Sequence, residues 1–338
     1  MYEADELAVL PPELLPDSLG SLMECLAQGQ ATAREILQPL MESHQWDPID
    51  LAPIARNVLE RVRAICGTSH RIESDPAETS MNRENDKALY IFRTSAVPVW
   101  ALLNGAVQTY TEFLDELVTA GTDLTGEEVG CIHLQFTVIF SVLSGRIAHY
   151  QPEQKPQPLS ITPLNSGRHD PLRRWVRGHH AFMVFIQWQV VFFQCFQRSA
   201  DQPGDPEQAC ELLKLLILSM RASLQVFRFT GEFSKEAYAE VVRPTLMPPA
   251  APEGMSGLNW RDHQFLLKCF AKSASHVVDS DLRLRGYYAM LKEQMRRVYD
   301  AHKYVCARCV GEDAASLLSK TSAVAIIDRL KEQRLRLL

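Results

Sequence analysis

The feature that most constrains this chain is a run of sixteen residues without a single charge, 181–196, AFMVFIQWQVVFFQCF. It falls short of the ~20 apolar residues that a helix needs to cross a bilayer. Gln187, Gln189 and Gln194 also lie inside it, and Arg177, His179 and His180 stand just before it. A helix that is apolar on nearly all sides must be wrapped by other helices. The run therefore predicts a central core helix, and a chain of 338 residues is long enough to supply the surrounding layers.

The rest of the sequence agrees with that demand. Apolar positions recur at steps of three and four over 17–28, 31–43, 50–66, 88–120 (with a bend at Pro98), 125–150, 207–230, 234–242, 260–278, 281–309 and from Ala314 onward. Asp50 reads as the cap of its helix, with Pro53 in the first turn, and Thr125 with Glu128 has the spacing of a capping box. The polar stretch 67–86, the Pro-rich 151–170 and the segment 244–257 read as loops. No segment demands a β-strand, since alternating patterns with two-residue turns are absent. The expectation is an all-α protein, one helical domain over 1–338. N-terminal helices fill 1–86, core helices 87–243 and C-terminal helices 258–338.

Composition excludes several functions. A formal charge of −6 argues against a surface that coats nucleic acid, and no membrane span is expected. The start MYEADELAVLPPELLP has no basic leader, which points to the cytoplasm. The eight cysteines lie mostly alone in helical patterns, as small buried hydrophobes do. A Gly-rich dinucleotide fingerprint, a P-loop, HExxH and GxSxG are all missing, and no histidine has a glutamate three residues before it.

The chemistry concentrates on the helix predicted over 281–309. Its inward stripe runs Leu284, Tyr288, Leu291, Met295, Val298, His302, Cys306, Cys309, while Lys292, Glu293, Arg296, Arg297 and Asp300 take the other face. His302 and Cys306 therefore point inward together, one turn apart. Three readings fit: a hydrogen-bonded core histidine beside a buried thiol, a Cys306–Cys309 redox or zinc pair, or an iron-porphyrin site with a histidine ligand and a neighbouring thiol. Trp260, Tyr287 and Tyr288 are candidate pocket aromatics. Arg93, Arg146, Arg173, Arg174 and Arg177 are candidate carboxylate clamps, each also readable as a solvated helix end. His179 and His180 either face a pocket or are hydrogen-bonded in the first turn of the core helix.

His263, followed 39 positions later by His302-Lys-Tyr-Val-Cys306, resembles the His…His-x-x-x-Cys pattern of the haem-dependent 3-methyl-L-tyrosine hydroxylases of saframycin-type antibiotic biosynthesis. These belong to the histidine-ligated haem-dependent aromatic oxygenases, as does tryptophan 2,3-dioxygenase. The resemblance covers three residues in the last quarter of the chain. It implies haem b in a pocket between core helices, held by His302 as proximal iron ligand and tethered through Cys306 by a thioether. His263 would be the distal ligand and the catalytic residue. It further implies hydrogen peroxide as oxidant and hydroxylation of 3-methyl-L-tyrosine beside the phenol to 3-hydroxy-5-methyl-L-tyrosine. The partners would be these small molecules, and a homo-oligomer is compatible with the sequence. The reading from a different class is a non-catalytic helical regulator or interaction protein with a redox-sensitive Cys306/Cys309 pair.

Overall fold

The computed structural model describes residues 5–42, 47–67, 70–146, 150–201, 206–253, 257, 260–277, 281–311 and 322–336. Among these, helices dominate: α1 (Leu19–Ala27), α2 (Gln30–Met41), α3 (Pro48–Cys66), α4 (Ser80–Ala88), α5 (Pro98–Ala120) and α6 (Gly126–Leu143) come first. They are followed by α7 (Pro171–Asp201), α8 (Pro206–Thr230), the short α9 (Lys235–Ala237), α10 (Arg261–Ser273), α11 (Leu282–Cys309) and α12 (Ala323–Leu335).

The uncharged run is the middle of α7. The carboxylate of Asp170 accepts from the amides of Leu172 and Arg173, both at 3.0 Å, and Pro171 supplies the first helical residue without leaving an amide unpaired. Phe185, Trp188, Phe192, Phe193 and Phe196 are all buried, which an all-round apolar helix requires. Helix α7 packs against α5, α8 and α10, while α8 lies against α6, α7 and α11, and α12 covers α11. The C-terminal half thus forms a bundle whose interior is shared by α7, α8, α10, α11 and α12.

The capping box predicted for α6 is present, formed by Thr125 and Glu128, and Asp281 caps α11. Elsewhere the boundaries move. Helix α3 begins at Pro48 with Asp47 as its cap, three residues earlier than expected, because Asp47 accepts from the Ile49 amide at 2.9 Å. The stretch expected as a loop to residue 86 contains α4, capped by Thr79. Helix α6 stops at Leu143, where Gly145 at φ 70° turns the chain away. The early part of the predicted C-terminal helix, 314–321, lies outside the described residues.

The structure also holds strands where none was expected. Leu7–Val9 (β1) pairs in parallel with Ile91–Arg93 (β2), Leu7 opposite Ile91 and Val9 opposite Arg93. The helix expected over 88–120 is therefore not bent at Pro98 but interrupted by β2, with Pro98 opening α5. Arg93 donates to the Leu10 carbonyl at 3.1 Å, and Gln187 of α7 donates to the same oxygen at 2.7 Å. The N-terminal segment is thereby stitched to the central helix.

Candidate active site

Helix α10 begins where it does because other elements hold it. The Arg261 amide donates to the Asn82 side chain of α4 at 2.7 Å, and the Arg261 guanidinium pairs with Asp75 at 2.6 Å and Glu13 at 2.7 Å. The next residue, Asp262, is fully buried; it pairs with Arg93 at 2.6 Å and accepts from Gln187 at 3.0 Å. These bonds fix the first turn of α10, and therefore the backbone of His263.

His263 faces a cavity of about 290 Å³ between α7, α8, α10, α11 and α12. His302 and Cys306 line the same cavity, so the pair singled out from helical spacing and the histidine added by the resemblance converge on one space. Along α11, Leu284, Tyr288, Leu291 and Met295 are buried as predicted, and the next positions of the stripe, Val298, His302 and Cys306, are half-buried along the cavity wall. Cys309 turns away: its thiol donates to the Gly231 carbonyl at 3.8 Å. Both cysteines are free thiols, and among the described residues no three histidine, cysteine or acidic side chains cluster as metal ligands. A zinc reading of Cys306–Cys309 thus lacks the further ligands that such a site needs.

The His302 ring stacks on Phe227 of α8, centroids 4.8 Å apart and planes 18° from parallel. Among the described residues neither of its ring nitrogens has a hydrogen-bond partner. Burial and the nearby Arg334 cation push its pKa down to about 4, so the ring is neutral near pH 7 and has a lone pair to offer. The first reading, a core histidine satisfied by hydrogen bonds, is not what the geometry gives. His263 is different. Its Nε2 accepts from Arg334 at 3.2 Å and the ring also hydrogen-bonds the Gly257 backbone, while burial and the Arg334 charge push its pKa down to about 3.

Other walls were less legible. His179 lines the cavity and His180 does not. Nδ1 of His179 donates to the Trp175 carbonyl at 2.7 Å, which leaves Nε2 as an acceptor in a ring that burial pushes down to about 4. His180 is consumed by Glu112 at 2.8 Å and the Leu89 carbonyl at 2.9 Å. Trp260 lines the cavity as expected, whereas Tyr287 and Tyr288 lie outside it. Trp175, Tyr238, Tyr299, Arg243 and Arg334 complete the wall without having been singled out. A signal for Arg334 did exist: it continues the apolar stripe Ala323, Ile326, Ile327, Leu330 at a step of four.

None of the arginines nominated as clamps reaches the cavity. Arg93 is held by Asp86 and Asp262; Arg174 by Glu116 at 3.1 Å and Glu232 at 2.7 Å; Arg173 and Arg177 by Glu116. Arg146 is exposed. The four pair with carboxylates instead of either clamping a ligand or lying solvated.

The cavity is largely apolar and aromatic, with a few inward polar groups and three neutral histidines. Fold and cavity together define a helical protein with a largely apolar chamber of the kind that takes a small molecule. The family model described as SfmD 3-methyl-L-tyrosine peroxygenase matches residues 8–326, and the chain belongs to that family. It is 34% identical to the 3-methyl-L-tyrosine peroxygenase of Streptomyces lavendulae over 337 residues, covering 96% of this chain and 88% of the relative. The crystal structure of SfmD reduced by soaking with sodium hydrosulfite superposes with a TM-score of 0.69 at 28% identity, covering 88% of this chain and 96% of the other. The chain is accordingly an oxidoreductase, and the non-catalytic regulator reading falls.

Proposed function

We propose that this enzyme uses a haem, held in the cavity by His302 and tethered through Cys306, to hydroxylate 3-methyl-L-tyrosine beside its phenol with hydrogen peroxide. The product is 3-hydroxy-5-methyl-L-tyrosine, and the setting is antibiotic biosynthesis. The observation that carries the proposal is the convergence of His302, Cys306 and His263 on one cavity in a chain of this family.

The residues suit the group. A neutral His302 ring without a hydrogen-bond partner among the described residues can donate its lone pair to iron, and the Phe227 stack fixes the plane of that ring. Cys306, one helical turn along the same face, is a protonated thiol, its pKa pushed up to about 12 by burial. In the proposed complex the thiol would add its S–H across a vinyl group of a porphyrin held by His302, forming the thioether. A bound haem would supply the oxidising power for peroxide cleavage and oxygen transfer.

The chain's own residues do the rest. His263, held through Asp262 and Arg261, presents a neutral ring to the cavity, and Arg334 bonds its Nε2. Once Arg334 releases Nε2, the neutral ring would be free to take a proton from peroxide and return it to the departing oxygen, or to serve as a ligand to a haem iron. His179 offers Nε2 as an acceptor beside Trp175 and Trp260, a setting that suits a phenol hydroxyl and its ring. Apolar side chains from five helices exclude water.

Purified protein from haem-supplied cells is expected to show a Soret band whose pigment stays on the protein through acid–acetone extraction. Cys306→Ala is expected to release that pigment, and His302→Ala to weaken haemin binding by about tenfold or more. Full haem occupancy with an unchanged spectrum in His302→Ala would overturn the ligand assignment. A colourless wild-type protein that gains no Soret band on haemin addition would overturn the haem reading.

A further inference from the structure

Arg334 differs from the other buried guanidiniums of the molecule. Arg93 and Arg174, buried to a similar degree, contact three and two carboxylates respectively. Arg334 is only 6% exposed, yet among the described residues no carboxylate lies within ion-pair distance of it. Its partners are neutral: Nη1 bonds His263 Nε2 at 3.2 Å and the Tyr299 hydroxyl at 2.5 Å, and the guanidinium lies over the Tyr299 ring at 5.6 Å. The described wall of the cavity contains no aspartate or glutamate, and Arg243 is its other cation. Withdrawing a cation from water without a counter-charge is unfavourable for folding, and a protein keeps such a charge where an anion arrives to complete it.

The geometry points to Arg334 as the anion-binding residue of the cavity, where it receives a carboxylate of a bound ligand. The planar fork of a guanidinium matches two carboxylate oxygens. Both molecules of the proposed reaction carry carboxylates, the haem on its propionates and the amino acid at its α-carbon, so the assignment rests on that reading and the test separates the two sources. Arg334 reaches the cavity from α12, whose position beside α11 is fixed by Lys331–Asp300 at 2.7 Å and Lys303–Asp328 at 2.6 Å. Binding an anion there also draws the guanidinium from His263, which frees Nε2 at the moment the cavity fills.

The test compares full-length wild-type protein with Arg334→Gln and Arg334→Lys. Protein expressed without haem supply is titrated with haemin and with haemin dimethyl ester, followed by the Soret band. 3-Methyl-L-tyrosine and the corresponding amine lacking the carboxylate are titrated calorimetrically. If a propionate is the ligand, Arg334→Gln weakens haemin by about tenfold or more and leaves the dimethyl ester unchanged. If the substrate carboxylate is the ligand, the amino acid weakens by a similar factor and the amine does not. Arg334→Lys, which keeps the charge, recovers part of either loss. The unliganded Arg334→Gln protein is expected to melt no lower than wild type, because it loses an unpaired buried charge. A lower melting temperature with all four affinities unchanged would make Arg334 a structural residue and overturn the assignment. A wild-type protein that binds no haemin would overturn the haem reading instead, and the calorimetric comparison would still decide the role of Arg334.

Discussion

Arg174 carries more of the fold than any surface charge can. Its guanidinium bonds Glu116, Glu232 and the Gly121 carbonyl, and lies 4.0 Å over the Phe229 ring, all of it buried. Removing it leaves two acidic side chains without their shared partner, so Arg174→Met is expected to cost about 3–5 kcal/mol in urea unfolding. Exposed pairs such as Arg61–Glu35 are expected to contribute less than about 1 kcal/mol by the same measurement. The arginines also show what a sequence withholds at this scale. Their number and helical setting are visible, but Arg93 meets Asp262 across 169 positions and Arg174 meets Glu116 across 58, and no local pattern encodes such pairs. His302 and Cys306 were legible because a shared helix face is a local fact, whereas His263 entered only through the family resemblance. Their meeting with Arg334 was not legible, since it depends on how α12 docks.

Two glycines in long helices are expected to respond in opposite ways. Gly178 of α7 faces α8 so closely that a β-carbon there would meet the Thr230 hydroxyl at 2.0 Å. Gly178→Ala should push the two helices apart at the cost of about 1–3 kcal/mol, read as a lower melting temperature. Gly286, on the exposed face of α11, has nothing within 4 Å of that position, and Gly286→Ala should stabilise by about 0.5–1 kcal/mol through helix propensity alone. The helices were readable because apolar periodicity and caps act over a few residues, as at Thr125 and Glu128. The strands were not: β1 and β2 are three residues each and pair across 84 positions, so neither carries an alternating pattern of usable length. Helix α4 was missed because its nine residues, SMNRENDKA, are nearly all polar, and its buried positions, Asn82, Asn85 and Asp86, serve hydrogen bonds and an ion pair instead of an apolar face.

Across the whole molecule, buried histidines tie stability to pH. Burial pushes His133, His179 and His302 down to about 4 and His263 to about 3, each from 6.5. Below about 6.5 the unfolded chain takes up protons that the fold refuses, so the contribution of these rings is complete above that pH and lost as pH falls through about 4. His180 runs the other way: Glu112 and the Leu89 carbonyl raise its pKa, and its contribution is lost as pH rises. With His169 also pushed down to about 4, five depressed rings outweigh one, and the melting temperature of the haem-free protein is expected to fall steadily from pH 7 to pH 4. A flat profile over that range would show that these rings are not neutral in the fold.

The cavity draws its wall from residues as far apart in the sequence as Leu89 and Arg334. A ribosome delivers those residues in order, so the chamber has no closed form while synthesis is still short of α12. The early helices, already able to pack α3 on α5, have no cofactor to wait for. Loading of the proposed cofactor is therefore a late event in the life of the chain.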